Sequence, residues 1–258
     1  GPDDGRRFDP VQLVHGGAAA RPFHTHLNAF DLSMTLRIAL ELHLKRAVVG
    51  GVDKVYEMGR IYRNEGVDST HSPEFTMLEA YEAYGDYDTM AALTRELVLD
   101  AALAVGRTVV PAHDGTEIDL EQPWRRVALH EVVSDAVGEP VTVDTSVQTL
   151  QALAERHDVA LQPGWDHGEI VLELFEKLAE HTIIQPTFVT DYPASVRPLA
   201  RPHRDDPRLS EAWDLLINGV ELAPAYTELV DPVIQRERLV EQSLLAAAGD
   251  PEAMQLDE

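Results

Sequence analysis

The sequence predicts an α+β fold with a mostly antiparallel sheet flanked by helices. Three observations carry that prediction. Strand-like runs alternate with helical runs along the whole chain. Two runs, residues 52–63 and 74–84, read as antiparallel strands joined by a long polar loop. Residues 88–104 and 169–180 carry apolar side chains at helical spacing.

The elements follow in order. Gly1-Pro2 reads as a protease-cleavage scar, and residues 1–10 as tag and loop. Arg6 to Phe23 is loop-like, with Gly16-Gly17 followed by small residues. Phe30 to Val49 is expected to be one helix, with Leu36, Leu40, His43 and Ala47 on one face and Gly50-Gly51 as its stop. In residues 52–63, Val55, Glu57, Gly59 and Ile61 alternate with Tyr56, Met58, Arg60 and Tyr62, the period of a strand. Asn64 to Pro73 is the polar loop, and loops of that length are often functional. Met90, Leu93, Leu97 and Ala101 line up along the next helix.

Residues 107–166 read as strand pieces and short helices, a candidate insertion in one large domain spanning 11–258. Val171, Leu174, Phe175 and Leu178 mark the inward face of the helix that follows. Thr187 to Tyr192 and Ala212 to Leu229 are expected as strands, the second broken near Pro224. Asp231-Pro232 begins a last helix, an N-cap with proline at the first position, running to about Ala248.

Composition bounds the function. The chain has 258 residues, 44% hydrophobic and 26% charged, which suits a globular domain. No apolar run reaches the roughly 18 residues of a membrane span. There is no cysteine, which excludes disulfides and thiolate metal sites and is compatible with a reduced cytoplasmic setting. The net charge of -24 argues against a strongly basic nucleic-acid surface.

Chemistry concentrates in Gly59-Arg60-Ile61-Tyr62-Arg63-Asn64-Glu65-Gly66, followed by His71-Ser72-Pro73-Glu74-Phe75-Thr76-Met77-Leu78-Glu79. Arginine at a strand end can clamp a phosphate or carboxylate, because guanidinium is a planar, permanently charged donor fork. Glu65 and His71 suit a nucleotide's polar edges, and Phe75 can stack on a base. Singly, each is an ordinary surface or core residue. In this order they are far more specific.

The run RIYRNEG…HSPEFTMLEAY resembles motif 2 of class II aminoacyl-tRNA synthetases in its lysine-specific form. HGGAAARPFHTHLNAFDLSMTLRIALELHLKRAVVGG upstream and WDLLINGVELAPAYTELVDPVIQRERL downstream also look lysyl-specific. HSPEF, ELAPAY and RPLARPHRDDP most resemble the actinobacterial kind, in which the synthetase can be joined to a membrane lysyl-phosphatidylglycerol synthase.

The resemblance implies a class II catalytic domain that uses ATP, lysine and Mg²⁺ and transfers lysine to tRNA, in a family that is dimeric. It implies that Arg63 is catalytic, holding the ATP α-phosphate and the lysine carboxylate. Glu65 would contact adenine, His71 the terminal phosphates, and Phe75 the adenine face. Asp214 and Glu221, seven residues apart, would hold Mg²⁺ on the polyphosphate. For lysine, Gly17 and Glu41 would meet the α-amino end. Glu79, Tyr81 and Glu228 would receive the side chain, and Tyr226 would line its methylene stem. The physics agrees, since a buried ammonium needs carboxylate partners.

Departures from the family pattern set further expectations. Leu40 stands for a usual Pro, Ser72 for Asn, and Pro224-Ala225 for Asn-Gly. Motif 1 is expected before residue 11, where only Arg6-Arg7-Phe8-Asp9-Pro10 is seen, and motif 3 after residue 258. An N-terminal anticodon-reading domain is likewise expected elsewhere, so tRNA(Lys) would be reached through other segments. The expectation is lysine activation that is weak or absent, since losing one transition-state contact costs about 10²–10³ in rate. The alternatives are a lysine-binding or regulatory paralogue, and an amino-acid ligase with a non-tRNA acceptor.

Overall fold

The computed structural model describes residues 10–18, 20–68 and 71–247. Most of the expected tag and leading loop, the end of the last helix at Ala248 and the C-terminal Leu256-Asp257-Glu258 lie outside the described residues. The chain divides into two units. One takes residues up to Tyr84 and those from Asp231 on; the other is Gly85–Val230.

The first unit begins with three short antiparallel strands, β1 (Val11–Gln12), β2 (His24–Leu27) and β3 (Leu32–Leu36), in the order β1-β3-β2. The helix expected from Phe30 is therefore corrected. Its first third is strand, and α1 covers only Glu41–Val49. Leu32, Met34 and Leu36 alternate with Ser33 and Thr35, a two-residue period that satisfies a sheet as well as a helix. Backbone pairing of Val11 with Leu36 and of His24 with Thr35 decides it. Gly51, at φ +99, closes α1, and Val52 N–H returns to the Ala47 carbonyl at 3.1 Å.

β4 (Lys54–Tyr62) and β5 (Glu74–Glu82) form the expected antiparallel pair. Its register sets Glu57 opposite Glu79, Val55 opposite Tyr81 and Ile61 opposite Phe75. These residues share one face. Val55, Ile61, Phe75, Met77 and Tyr81 pack there against Leu40 and Leu44 of the α1 region. α6 (Pro232–Ala247) belongs to this unit, and Asp231 caps it by accepting from Val233 N–H at 2.9 Å and Ile234 N–H at 3.2 Å.

The second unit opens with α2 (Tyr87–Ala104), capped by the Asp86 carboxylate. Residues 107–166 supply a two-stranded piece, β6 (Val109–Pro111) with β7 (Glu117–Asp119), then β8 (Arg125–Ala128), α3 (Leu129–Val137) and α4 (Val147–Arg156). α5 (His167–Leu178) has a capping box of Asp166 and Glu169. β9 (Thr187–Thr190), β10 (Ala212–Ile217) and β11 (Val220–Tyr226) complete a four-stranded sheet in the order β11-β10-β9-β8. The β8–β9 pair is parallel and the others antiparallel.

The break expected near Pro224 falls instead at Asn218-Gly219. Both sit at positive φ, +59 and +73, and turn the chain from β10 into β11. An Asn-Gly pair at positive φ fits the twist of a two-residue hairpin. Pro224 lies inside β11, opposite Asp214. Alternation along β10 splits its faces. Trp213 and Leu215 pack with Tyr87 and Phe188, while Leu216 joins the larger core of α3, α4 and α5. The whole is a mixed, mostly antiparallel α+β arrangement, as expected.

Candidate functional site

The face shared by β4 and β5 carries Glu57 and Glu79 and packs against the start of α1. Glu79 lies on β5, half-buried, and both its oxygens are engaged. Oε1 accepts from the Leu40 backbone N–H at 2.9 Å, and Oε2 accepts from the Tyr81 hydroxyl at 3.2 Å. Burial raises the Glu79 pKa above the usual carboxylate range, and the negative Glu41 raises it further. The two hydrogen bonds and Arg63 pull the other way.

Glu41 is 7% exposed in the first turn of α1, where the helix dipole favours an acid. Its Oε1 meets Lys45 Nζ at 2.8 Å, one helical turn on. That ammonium also lies 5.9 Å from the centre of the Tyr81 ring. Gly17 is pressed against this place. A Cβ there would stand 2.8 Å from Glu41 Cβ, and its φ of +87 favours glycine.

Arg63 follows β4. Its Nε donates to the Ile38 carbonyl at 3.2 Å, and its guanidinium carbon lies 5.4 Å from the centre of the Phe75 ring. Gly17, Glu41, Arg63, Phe75, Glu79 and Tyr81 are thus linked through the segment Ile38–Glu41 and the β4–β5 face. Glu65 and His71 stand apart from those contacts, on the exposed loop. Glu65 accepts from the Arg21 N–H at 3.1 Å, and the His71 ring lies 3.0 Å from Asp68.

Two supporting features carry no signal of periodicity or motif in the sequence. Arg37, 4% exposed, pairs through Nη1 with Glu57 Oε1 at 2.8 Å and donates from Nε to the Arg60 carbonyl at 2.9 Å. This buried pair pins Arg37–Leu40 to β4. A side chain at Gly59 would collide with the Arg37 guanidinium, so glycine there lets the pair form. The second feature is the Leu40 N–H itself, which a proline could not supply.

The remaining residues belong to the second unit. Tyr226 ends β11 opposite Ala212, and Glu228 bridges to Ala200. Asp214 and Glu221 line one cavity of about 100 Å³, with Phe175, Glu176, Glu180, and Arg197 around it. Asp214 is 5% exposed, and its Oδ2 accepts from Arg197 Nη2 at 2.5 Å. Its Oδ1 has no hydrogen-bond partner among the described residues. Glu221 stands at the exposed side. Desolvation, then Asp214, raises its pKa, and its open side limits that shift.

Two carboxylates are the hard oxygen donors that Mg²⁺ takes. Here, however, a guanidinium already answers the Asp214 charge. Asp214 is thus paired with a cation of the protein's own.

With that geometry in place, comparison with known proteins is direct. The family described as tRNA synthetases class II (D, K and N) matches residues 10–257. The chain belongs to this class II synthetase family. It is 54% identical over 253 residues to the lysylphosphatidylglycerol biosynthesis bifunctional protein LysX of Gordonia bronchialis, covering 96% of this chain and 22% of that protein. The LysX proteins of Mycolicibacterium vanbaalenii and Nocardia farcinica are each 53% identical over the same length, with 23% and 22% of their lengths covered. The chain therefore spans less than a quarter of the curated relatives it matches. It corresponds to their class II synthetase-like catalytic domain, a ligase family whose fold implies nucleotide binding. No described helix is long and apolar enough to cross a membrane.

Proposed function

We propose that this chain is a lysine-binding, lysine-activating catalytic segment of a class II ligase. The observation that carries the reading is the Glu79–Tyr81–Glu41 cluster, in which a half-buried carboxylate held by a tyrosine hydroxyl lies within electrostatic reach of a buried one. A cation entering such a pocket exchanges water for carboxylate oxygens, and the ring of Tyr81 covers part of its apolar stem. The Lys45 ammonium, on Glu41 at 2.8 Å and 5.9 Å from the centre of the Tyr81 ring, supports the reading.

In this reading Glu41 receives the α-amino group of lysine, Gly17 lets it approach, and Glu79 with Tyr81 receives the ε-ammonium. Tyr226 and Glu228 are assigned the stem and the ammonium by family correspondence. Arg63 holds the lysine carboxylate and the ATP α-phosphate. Phe75, Glu65 and His71 serve the nucleotide. A lysine carboxylate oxygen attacks the α-phosphorus, the bond to the β-phosphate oxygen breaks, and lysyl-adenylate and pyrophosphate result. Arg63 stabilises the charge that develops at phosphorus.

The acceptor of the lysyl group is a separate matter. The relatives are named for lysylphosphatidylglycerol biosynthesis, and the net charge of -24 offers little general attraction to a nucleic acid. Transfer to an acceptor other than tRNA fits both facts, as does tRNA held by other segments. A second reading, lysine binding without adenylate formation, is favoured by the Arg197–Asp214 pair.

Lysine-dependent exchange of pyrophosphate into ATP tests the proposal. The proposal expects exchange that needs lysine and is lost in Arg63→Gln. Lysine binding by calorimetry with no exchange selects the second reading. Neither binding nor exchange overturns both.

A further inference from the structure

The cavity between β10, β11 and α5 carries more carboxylates than one arginine can balance, yet its deepest acid is committed to that arginine. Asp214 Oδ2 and Arg197 Nη2 are 2.5 Å apart, and Asp214 is 5% exposed. Arg197 is fixed on a second side, its guanidinium carbon 4.5 Å from the centre of the Tyr192 ring. Tyr192 is fully buried in the core of the second unit. The 3₁₀ turn Ala194–Val196 delivers Arg197 from the end of β9 to this point.

We infer that Arg197 is the resident cation of this cavity, so that Asp214 and Glu221 serve a guanidinium in place of a divalent metal ion. Three features of the cavity carry it. The guanidinium is bonded to the deepest carboxylate. An aromatic face holds it there, a cation–π contact that a flexible surface arginine would lack. Asp214 is already paired through Oδ2, and its buried Oδ1 is the one oxygen left, so a dication would have to displace Arg197 or share Asp214 with it. At such separations two positive centres repel strongly in a partly desolvated site. The other acids, Glu176, Glu180 and Glu221, line the cavity and hold the general negative potential that keeps the guanidinium in place.

The inference stands apart from the lysine reading, because every residue it uses lies in Gly85–Val230 and none in the Glu79 pocket. Binding of Mn²⁺ alone, followed by the electron paramagnetic resonance signal of the free ion, tests it on the full chain. The wild-type chain is expected to bind Mn²⁺ weakly, in the millimolar range. Arg197→Gln is expected to bind at least about tenfold more tightly, since the repelling charge is gone. Asp214→Asn added to that variant is expected to abolish the gain.

Micromolar binding by the wild type that Asp214→Asn removes overturns the inference, as does an Arg197→Gln variant whose Mn²⁺ affinity is unchanged or lower. Should Arg197→Gln fail to fold, Arg197→Met, which also removes the charge and keeps the apolar stem, is expected to show the same gain, and no gain overturns the inference. Arg197→Lys, which keeps the charge, must then leave Mn²⁺ binding weak. Calorimetry with lysine on the same samples keeps the two readings separable. Lysine binding with tight wild-type Mn²⁺ binding sinks only the arginine inference.

Discussion

The Leu40 backbone N–H donates to Glu79 Oε1 at 2.9 Å, tying the start of α1 to the middle of β5. The bond fixes the Glu79 carboxylate against the turn that also carries Glu41. It stabilises the ionised form of an acid that burial pushes toward neutrality. The pocket is held ready at some cost in stability, a common feature of sites that bind charge.

That cost predicts a separation of stability from binding. Glu79→Gln removes a desolvated charge and keeps the shape of the side chain. Thermal melting is expected at the same temperature or higher, while lysine affinity falls at least about 100-fold, as loss of a buried ionic partner usually demands. A variant that melts much lower, or still binds lysine well, contradicts this role.

The pH dependence has a definite sign. The Glu79 pKa is raised in the folded chain, so the carboxylate is protonated at a higher pH than a free glutamate. Lysine affinity, measured by calorimetry across pH, is expected to fall as pH drops into that raised range. Leu40→Pro deletes the N–H that favours the anion, and the midpoint is expected to move upward. A midpoint that stays put or moves down would show that the bond does not tune Glu79.

Lys45 offers a subtler test. Its ammonium sits on Glu41 at 2.8 Å, where the α-amino group of lysine is assigned. Lys45→Met removes an internal competitor and a repelling charge, so lysine affinity is expected to rise a few-fold. Weaker binding would make Lys45 a support for the pocket.

The Arg37–Glu57 pair is expected to matter for folding. Both residues are under a tenth exposed, and neither has water to fall back on. Glu57→Gln removes the carboxylate charge that the buried guanidinium pairs with at 2.8 Å, and chemical denaturation is expected to show a loss of about 3–5 kcal/mol. A loss under about 1 kcal/mol would mean that solvent reaches the pair.

His130 predicts an acid-side instability in the second unit. It is 8% exposed, its Nε2 has no partner among the described residues, and burial first, then His167, lowers its pKa to about 4. The unfolded chain binds this proton near 6.5. Between those values the unfolded state holds more protons, so stability falls as pH drops from about 6.5 to 4, by at most about 3 kcal/mol. Melting temperature against pH, compared with His130→Gln, measures it. A variant with the same acid slope would place the effect elsewhere.

The strand pair and its residues could be read in the sequence because alternation and motif coincide there. Val55 to Ile61 sets one face, and Phe75 to Tyr81 sets its partner. β3 could not, because Leu32 to Leu36 fits both periods and only pairing with β1 and β2 decides. The Asn218-Gly219 hairpin was readable, but Pro224 drew the expected break away from it. Arg37 and Arg197 act through contacts with residues 20 and 17 positions away, and no period or spacing marks them. Leu40 contributes a backbone donor, and the side chain gives no sign of that role.

The central claim is that the Glu79 pocket recognises an ammonium at the end of an aliphatic stem. Calorimetric titration with L-lysine and with L-norleucine, which keeps the stem and lacks the terminal amine, tests it most directly. The account predicts lysine binding at least about 100-fold tighter than norleucine, a gap lost in Glu79→Gln. Equal affinity for the two, or a lysine preference untouched by Glu79→Gln, would contradict it.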